Sequence, residues 1–419
     1  MNRHAQHLAE EVLVRCGTLA TFSEDSGSLR RTFLSPSMRD VHREIASWLQ
    51  PLGVQARIDA AGNLRALYPA ALTSAPRLLI GSHLDTVPNA GAYDGMLGVV
   101  LPIALIEALE RRTLPYAIEV VGFSEEEGVR FGRPFIGSNA LVGALDEELL
   151  ATTDAQGTSV REAIEQFGLN PTEIPDAALD ENAVAFLEFH IEQGPVLEKL
   201  GLPLAAVDAI VGQSRFEIVF QGRANHAGTT PMDLRFDAVA AAAEWISLVE
   251  STAKTTTGLV ATVGSIQTKP GAVNVIAGEA LVGLDIRHRT DEVRTRALAV
   301  LVQGAQEIAR RRGLSVRCTE QMNQAAVALD STLTVQIEQA IQKTGCKPHR
   351  MVSGAGHDAM ILARKVPSAM IFLRTPDGVS HEPAETVAVD DVAKGIECGL
   401  HLLEQLAADA AFQKRTSRE

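Results

Sequence analysis

RLLIGSHLDTVPNAGAYDGMLGVVLPIALIEALE, residues 77–110, carries the decision about the fold. Arg77–Ile80 is apolar without alternation, the pattern of a strand covered on both faces, and Leu97–Glu110 is apolar almost all round, as in a buried crossover helix. The next apolar run, Ala117–Phe123, supplies a second strand. Strand, helix and strand in this order predict a largely parallel sheet with helices on both faces. Working outward, an acidic, helix-prone stretch (Asp146–Asp180) leads to another strand, Ala183–His190. From Ile210 the texture changes: a half-buried strand (Arg215–Phe220), a helix (Asp237 to about Thr252), strands near Leu259–Ile266 and Leu281–Arg287, and a helix (Asp291 to about Arg312). That β-α-β-β-α-β order fits a compact α+β module with a four-stranded sheet and two helices. After about Gln324, a helix (Asp330–Lys343), a strand (Ser368–Leu373) and a helix (Val389–Leu406) return to α/β texture. The predicted fold is therefore α/β, with a mostly parallel sheet built from residues 1–211 and 326–419 and interrupted by an inserted α+β domain, 212–325.

A chain of 419 residues has room for two or three domains, and 46% hydrophobic with 21% charged residues places it among folded globular proteins. Its 38 basic against 52 acidic residues leave a net charge of −14, which argues against nucleic acid or an anionic membrane as partner. The longest apolar-rich run, Met96–Leu109, is short of the ~18 residues needed to span a bilayer and is broken by Glu107. Met1–His7 leads into a charged amphipathic stretch without the apolar core of a secretion signal. Cys16, Cys318, Cys346 and Cys398 lack CxxC spacing and read as ordinary thiols, so a cytoplasmic location is expected. The tail Gln413–Glu419 reads as frayed.

Chemistry concentrates where strands end, the edge at which open α/β sheets place their sites. His83 ends the first strand. Asp85, two residues on, shares its face on extended backbone and can orient its imidazole. Asp94 stands among Gly91, Gly95 and Gly98, where the chain can turn tightly and present a carboxylate, although Asp with Gly also makes plain turns. Ser124-Glu-Glu-Glu127 follows the second strand: adjacent side chains point apart, so one of Glu126 and Glu127 could bind a metal while the other stays free as a base. Read alone, the run is equally a solvated acidic loop. His190 and His381 each lie at or after a strand end, where a single histidine is more often hydrogen-bonded than ligating. Taken together, His83, Asp94, Glu127, His190 and His381 suffice to hold two divalent ions through a shared carboxylate.

The motifs GSHLDTVPNAGAYDG, SEEEGVRFG, HIEQGPVLE, IVGQSRFEIVFQGRANHAGTTPM, NVIAG, DIRH, SGAGHDAM and GVSHEPAE resemble, in order and over nearly the whole chain, the dinuclear metal amidohydrolases of the aminoacylase and glutamate-carboxypeptidase superfamily. Within it the likeness is to N-carbamoyl-L-amino-acid hydrolases and allantoate amidohydrolases. The resemblance implies two divalent ions per subunit, zinc or manganese, one on His83, Asp94 and His190 and the other on Asp94, Glu127 and His381. It implies Glu126 as general base, Asp85 as the residue steadying His83, and the inserted domain as lid and homodimer contact. His226 would reach the partner subunit's site to stabilise an oxyanion, and Gln213, Asn274 and Arg287 match substrate-binding positions. Arg287 can also be read as a strand residue paired with a neighbouring acid. His357-Asp358 fits packing behind the ligands better than ligation.

The implied reaction is hydrolysis of a ureido C–N bond in a small carboxylate by a dimetal-activated water. Two divalent ions carry +4; Asp94, Glu127 and a hydroxide subtract three, leaving about +1, which suits an anionic substrate. GFSEEEGVRFGRPFIGS and the AYDG turn look most like allantoate amidohydrolases, with N-carbamoyl-L-amino acids or N-carbamoyl-β-alanine as alternative substrates. A metal-dependent peptidase or aminoacylase, or a non-catalytic binding homologue, is the remaining alternative. The histidine at 190, where peptidase branches carry a carboxylate, and the short His83–Asp94 spacing count against a peptidase, and the intact Glu126 against a binding module.

Overall fold

The computed structural model describes residues 3–72 and 74–414. Residues 1–2, 73 and 415–419, the last five belonging to the tail expected to be frayed, lie outside the described residues. The chain divides into two compact units, Met1–Asp208 with Leu329–Met351 and Ala355–Glu419, and Ala209–Ala328 with Val352–Gly354.

In the first unit, strand Arg77–His83 pairs in parallel with Ala117–Phe123 on one side and Ala183–Ile191 on the other, and Ala183–Ile191 in turn pairs in parallel with Ser368–Leu373. These four adjacent strands form the parallel centre of the sheet. Antiparallel strands flank it: Leu64–Tyr68 and Ala56–Ile58 beyond Ala117–Phe123, and Leu204–Ile210 beyond Ser368–Leu373. Ala117–Phe123, Ala183–Ile191 and Ser368–Leu373 are buried at every position, which is why they read as unbroken apolar runs rather than as alternation. Helix Met96–Ala108 is buried along most of its length and packs between the sheet and helices Arg3–Ala20 and Val389–Ala408.

Four parallel neighbours all end at the same edge. His83 closes one, Glu126 and Glu127 follow the second, His190 is the penultimate residue of the third, and His381 lies beyond the fourth.

The second unit holds an antiparallel sheet in the order Ser315–Gln324, Gly212–Gln221, Glu279–His288, Val260–Lys269. Glu279–His288 alternates half-buried and buried residues, because one face packs on helices Ala238–Thr255 and Asp291–Arg311 around Trp245, Phe220 and Leu301. Trp245 donates its indole N–H to the Leu301 carbonyl at 2.8 Å, so the largest side chain of this core leaves no polar atom unmatched. A two-stranded ribbon, Asn225–His226 against Val275–Ile276, belongs to the same unit.

Candidate active site

At the edge where the parallel strands end, the His83 and His190 rings converge on one carboxylate oxygen. His83 Nδ1 donates to the Asp85 carbonyl at 3.0 Å and His190 Nδ1 to the Ile191 carbonyl at 2.9 Å. A carbonyl can only accept, so each Nδ1 carries the proton and each Nε2 turns its lone pair outward. The two Nε2 atoms lie 3.5 and 3.1 Å from Asp94 Oδ1. His381 Nε2 is 3.1 Å from Asp94 Oδ2 and 3.6 Å from Glu127 Oε1.

The donor atoms of His83, Asp94 and His190 lie within 4.8 Å of one another, as do those of Asp94, Glu127 and His381. Asp94 is common to both groups. Asp94 Oδ1 and His190 Nε2 are buried without a hydrogen-bond partner, which is the signature of atoms arranged for an ion. An imidazole and carboxylate donor set of this kind fits a divalent metal.

Local sequence explains the geometry. Gly95 adopts φ +70°, and a Cβ there would lie 2.5 Å from the His83 ring, so glycine alone lets the loop pass that close. Asp85 acts differently from the expected pairing of its carboxylate with His83. Its carbonyl takes the Nδ1 proton, while its carboxylate accepts the backbone N–H of Glu126 (2.9 Å) and Glu127 (3.0 Å) and stands 3.5 Å from Nδ1. Asp85 thus ties the end of one strand to the loop after its neighbour. Of the three acids in that loop, Glu125 folds back onto the N–H groups of Gly128 and Val129, Glu126 is buried beside His83, and Glu127 faces Asp94 and His381. His381 holds φ +59°, a strained conformation for a residue with a side chain.

The electrostatics follow from burial. Burial would raise the Asp94 carboxyl, but His190, His381 and His83, when they take up a second proton and point an Nε2–H at it, hold it well below the usual range. Burial and the neighbouring Glu127 push Glu126 well above the usual carboxylate range, and burial with Asp94 lifts Glu127 to about 7. Glu126 and Glu127 behave as carboxylates crowded without a cation do, and divalent ions beside them would lower both.

The remaining candidates lie in the second unit and form two groups. Gln213 and Arg287 are directly opposite on paired strands. Arg287 donates from Nε (2.8 Å) and one terminal nitrogen (3.1 Å) to Asp285, and from the other terminal nitrogen to the Gly354 carbonyl at 2.7 Å; Gln213 Nε2 donates to the same Asp285 carboxylate. The paired-acid reading of Arg287 is thus what the structure shows. Of its five N–H groups, one on each terminal nitrogen remains. His226 and Asn274 meet on the two-stranded ribbon, where Ala227 N–H donates to the Asn274 carbonyl at 3.0 Å. His226 Nδ1 accepts the N–H groups of Gly228 (3.0 Å) and Thr229 (3.2 Å), which leaves its proton on Nε2.

Sequence reasoning passed over Asp285, Gln193, Ser380 and Glu385. Asp285 was findable, since it stands two residues before Arg287 on one strand face. Gln193, whose Nε2 donates to Asp94 Oδ2 at 2.8 Å, carries no spacing signal. His357 packs edge-on against His190, ring centroids 4.5 Å apart, while Glu188 accepts from Ser82 Oγ and the Ala359 N–H. These groups back the site.

Residues 79–405 match the model of peptidase family M20/M25/M40. The chain belongs to that family. It is 39% identical to an N-carbamoyl-L-amino acid amidohydrolase of Geobacillus stearothermophilus, covering 92% of this chain and 95% of the relative. It is 36% identical to a probable allantoate deiminase of Oryza sativa subsp. japonica, covering 96% and 90%. Among solved structures, an amidase of the hydantoinase/carbamoylase family from Burkholderia multivorans superposes with a TM-score of 0.90 at 29% identity, over 96% of this chain and 98% of that one. Within its family the chain is an amidohydrolase acting on C–N bonds. Among the described residues no helix is long and apolar enough to cross a membrane.

Proposed function

We propose that this enzyme hydrolyses the ureido C–N bond of a small carboxylate, with allantoate as substrate. The observation that carries the reading is the convergence of three imidazoles and Glu127 on the two oxygens of Asp94, beside the buried Glu126. His83, Asp94 and His190 would hold one divalent ion and Asp94, Glu127 and His381 a second, zinc or manganese, since imidazole and carboxylate accept both. Such ions polarise a carbonyl and acidify water. Glu126, buried beside His83 and outside both three-residue donor groups that share Asp94, takes the proton from the attacking water and passes it to the leaving nitrogen. Asp85 holds the Glu126 backbone in place. His226, with its proton on Nε2, and Asn274 donate to the developing oxyanion, each worth about 3 kcal/mol in comparable sites. Arg287, opposite Gln213, offers its two remaining terminal N–H groups to the substrate carboxylate as a fork.

The 39% identity to an N-carbamoyl-L-amino acid amidohydrolase supports a second substrate reading, N-carbamoyl-L-amino acids. An ammonia-release assay decides between them: apo-enzyme reloaded with Zn²⁺ or Mn²⁺ is given allantoate, N-carbamoyl-L-amino acids, N-carbamoyl-β-alanine and a dipeptide. Fastest release from allantoate is expected, and no turnover of any ureide would remove the reading.

We further propose that the enzyme works as a homodimer in the cytoplasm, His226 of each subunit serving the partner's site. The outer strand Val260–Lys269, with Val260 and Ile266 exposed, supports an interface, and four free cysteines suit a reducing compartment. Mixing His226→Ala with Glu126→Gln subunits should restore about a quarter of wild-type activity when one site in each of half the dimers is intact. Verified mixed dimers with no recovery would exclude the trans role.

A further inference from the structure

Glu385 lies four residues beyond His381, with 5% of its surface exposed. Its Oε1 accepts the backbone N–H groups of Tyr93 (2.9 Å) and Asp94 (3.0 Å). Its Oε2 takes Ser380 Oγ at 3.0 Å, and the same hydroxyl stands 3.2 Å from Asp94 Oδ2. One buried carboxylate therefore grips both the backbone that presents Asp94 and the residue next to His381. A buried acid that answers to amides and a hydroxyl is an expensive way to close a loop, so its place calls for a reason beyond packing. The facing chain is shaped around it: a Cβ on Gly91 would fall within the Glu385 side chain. Across the joint, His381 keeps its left-handed backbone, a conformation that persists only where its surroundings hold it.

We infer that Glu385 is a positioning residue of the dinuclear centre: it fixes the loop bearing Asp94 against the loop bearing His381, so that the shared carboxylate and the imidazole facing it are presented together. The inference rests on the reading of these residues as ligands of two divalent ions. Glu385 touches neither the ions' expected donor atoms nor substrate, and acts through backbone placement and Ser380.

The test is a titration of metal-free enzyme with Zn²⁺ against a chromophoric chelator, with thermal unfolding of the same apo-proteins alongside. Wild type should take up two ions. Glu385→Ala and Gly91→Ala should weaken the second, more loosely held ion ten- to hundredfold, the range seen when groups behind metal ligands are removed. Glu385→Gln keeps an oxygen for the two amides and an N–H for Ser380 Oγ, and should lose less than tenfold. Ser380→Ala, which leaves Glu385 on the amides, should fall between them. A purely structural role would lower the thermal midpoint of Glu385→Ala and leave both affinities unchanged. That result, with two ions on wild type, overturns the inference and leaves the metal reading standing. Fewer than two ions on wild type overturns the metal reading itself. Should Glu385→Ala or Gly91→Ala not fold, unchanged affinities in both Glu385→Gln and Ser380→Ala overturn the inference in the same way.

Discussion

At the scale of single residues, Glu126 and Glu127 show how neighbours with the same chemistry are set to different tasks by direction alone. Glu127 faces Asp94 and His381, and Glu126 sits buried beside His83. Glu126→Gln keeps the shape and removes the proton acceptor: full metal loading by elemental analysis with turnover down 10²–10⁴-fold is expected, and unchanged turnover would exclude it as the base. Arg287 is committed to Asp285 through Nε and one terminal nitrogen and to the Gly354 carbonyl through the other, which leaves one N–H on each terminal nitrogen. Arg287→Lys supplies charge without the fork, so KM for carboxylate-bearing ureides should rise roughly ten- to hundredfold, the worth of one or two charge-assisted hydrogen bonds. Equal loss on an uncharged ureide would contradict the carboxylate role. Residue type and position after a strand singled out the acids at 126 and 127, whereas Arg287 was reached through the family resemblance. Asp285 could be read two residues before it, but which of the Arg287 N–H groups stay uncommitted is decided by the folded structure.

At the scale of elements, the strand Arg77–His83, the loop to Gly95 and helix Met96–Ala108 form one device. The strand delivers His83, the glycines let the loop double back over the imidazole, and the helix start fixes Asp94. Gly95→Ala places a methyl group 2.5 Å from the His83 ring on a left-handed backbone. The strain alone costs about 1–3 kcal/mol, so a lower thermal midpoint and at least tenfold weaker Zn²⁺ binding are expected; unchanged values in both would mean that the loop has slack. This device was legible because strand, turn and apolar helix follow one another in sequence. The antiparallel strands that flank the sheet were not, since short runs such as Ala56–Ile58 gain their order from the neighbour Leu64–Tyr68.

At the scale of the whole molecule, stability should depend on pH through His42, which is buried edge-on against Phe167, centroids 6.0 Å apart, with neither ring nitrogen hydrogen-bonded. Burial, with Arg31 and Arg39, lowers its pKa from 6.5 to about 3. The unfolded chain then takes a proton that the folded one refuses. Stability from this group is full above pH 6.5 and declines as pH falls toward 3. At pH 5 the loss is about 2 kcal/mol. His42→Leu should remove that part of the decline in urea midpoints compared at pH 7.5 and 5, and equal declines in both proteins would show that His42 does not drive it.

What the sequence determined by itself was local: apolar runs for buried strands, glycines where backbone must pass closely, and histidines and acids placed just after strands. What the tertiary structure decided was which strand ends lie side by side. The order Ala117–Phe123, Arg77–His83, Ala183–Ile191, Ser368–Leu373 brings residues nearly 300 positions apart onto one carboxylate. It also set the ring nitrogen that carries each proton and recruited Asp285 and Glu385. Pairing over such separations is governed by the packing of whole elements, and the choice of hydrogen-bond partner follows from it, so neither leaves a local trace in the chain.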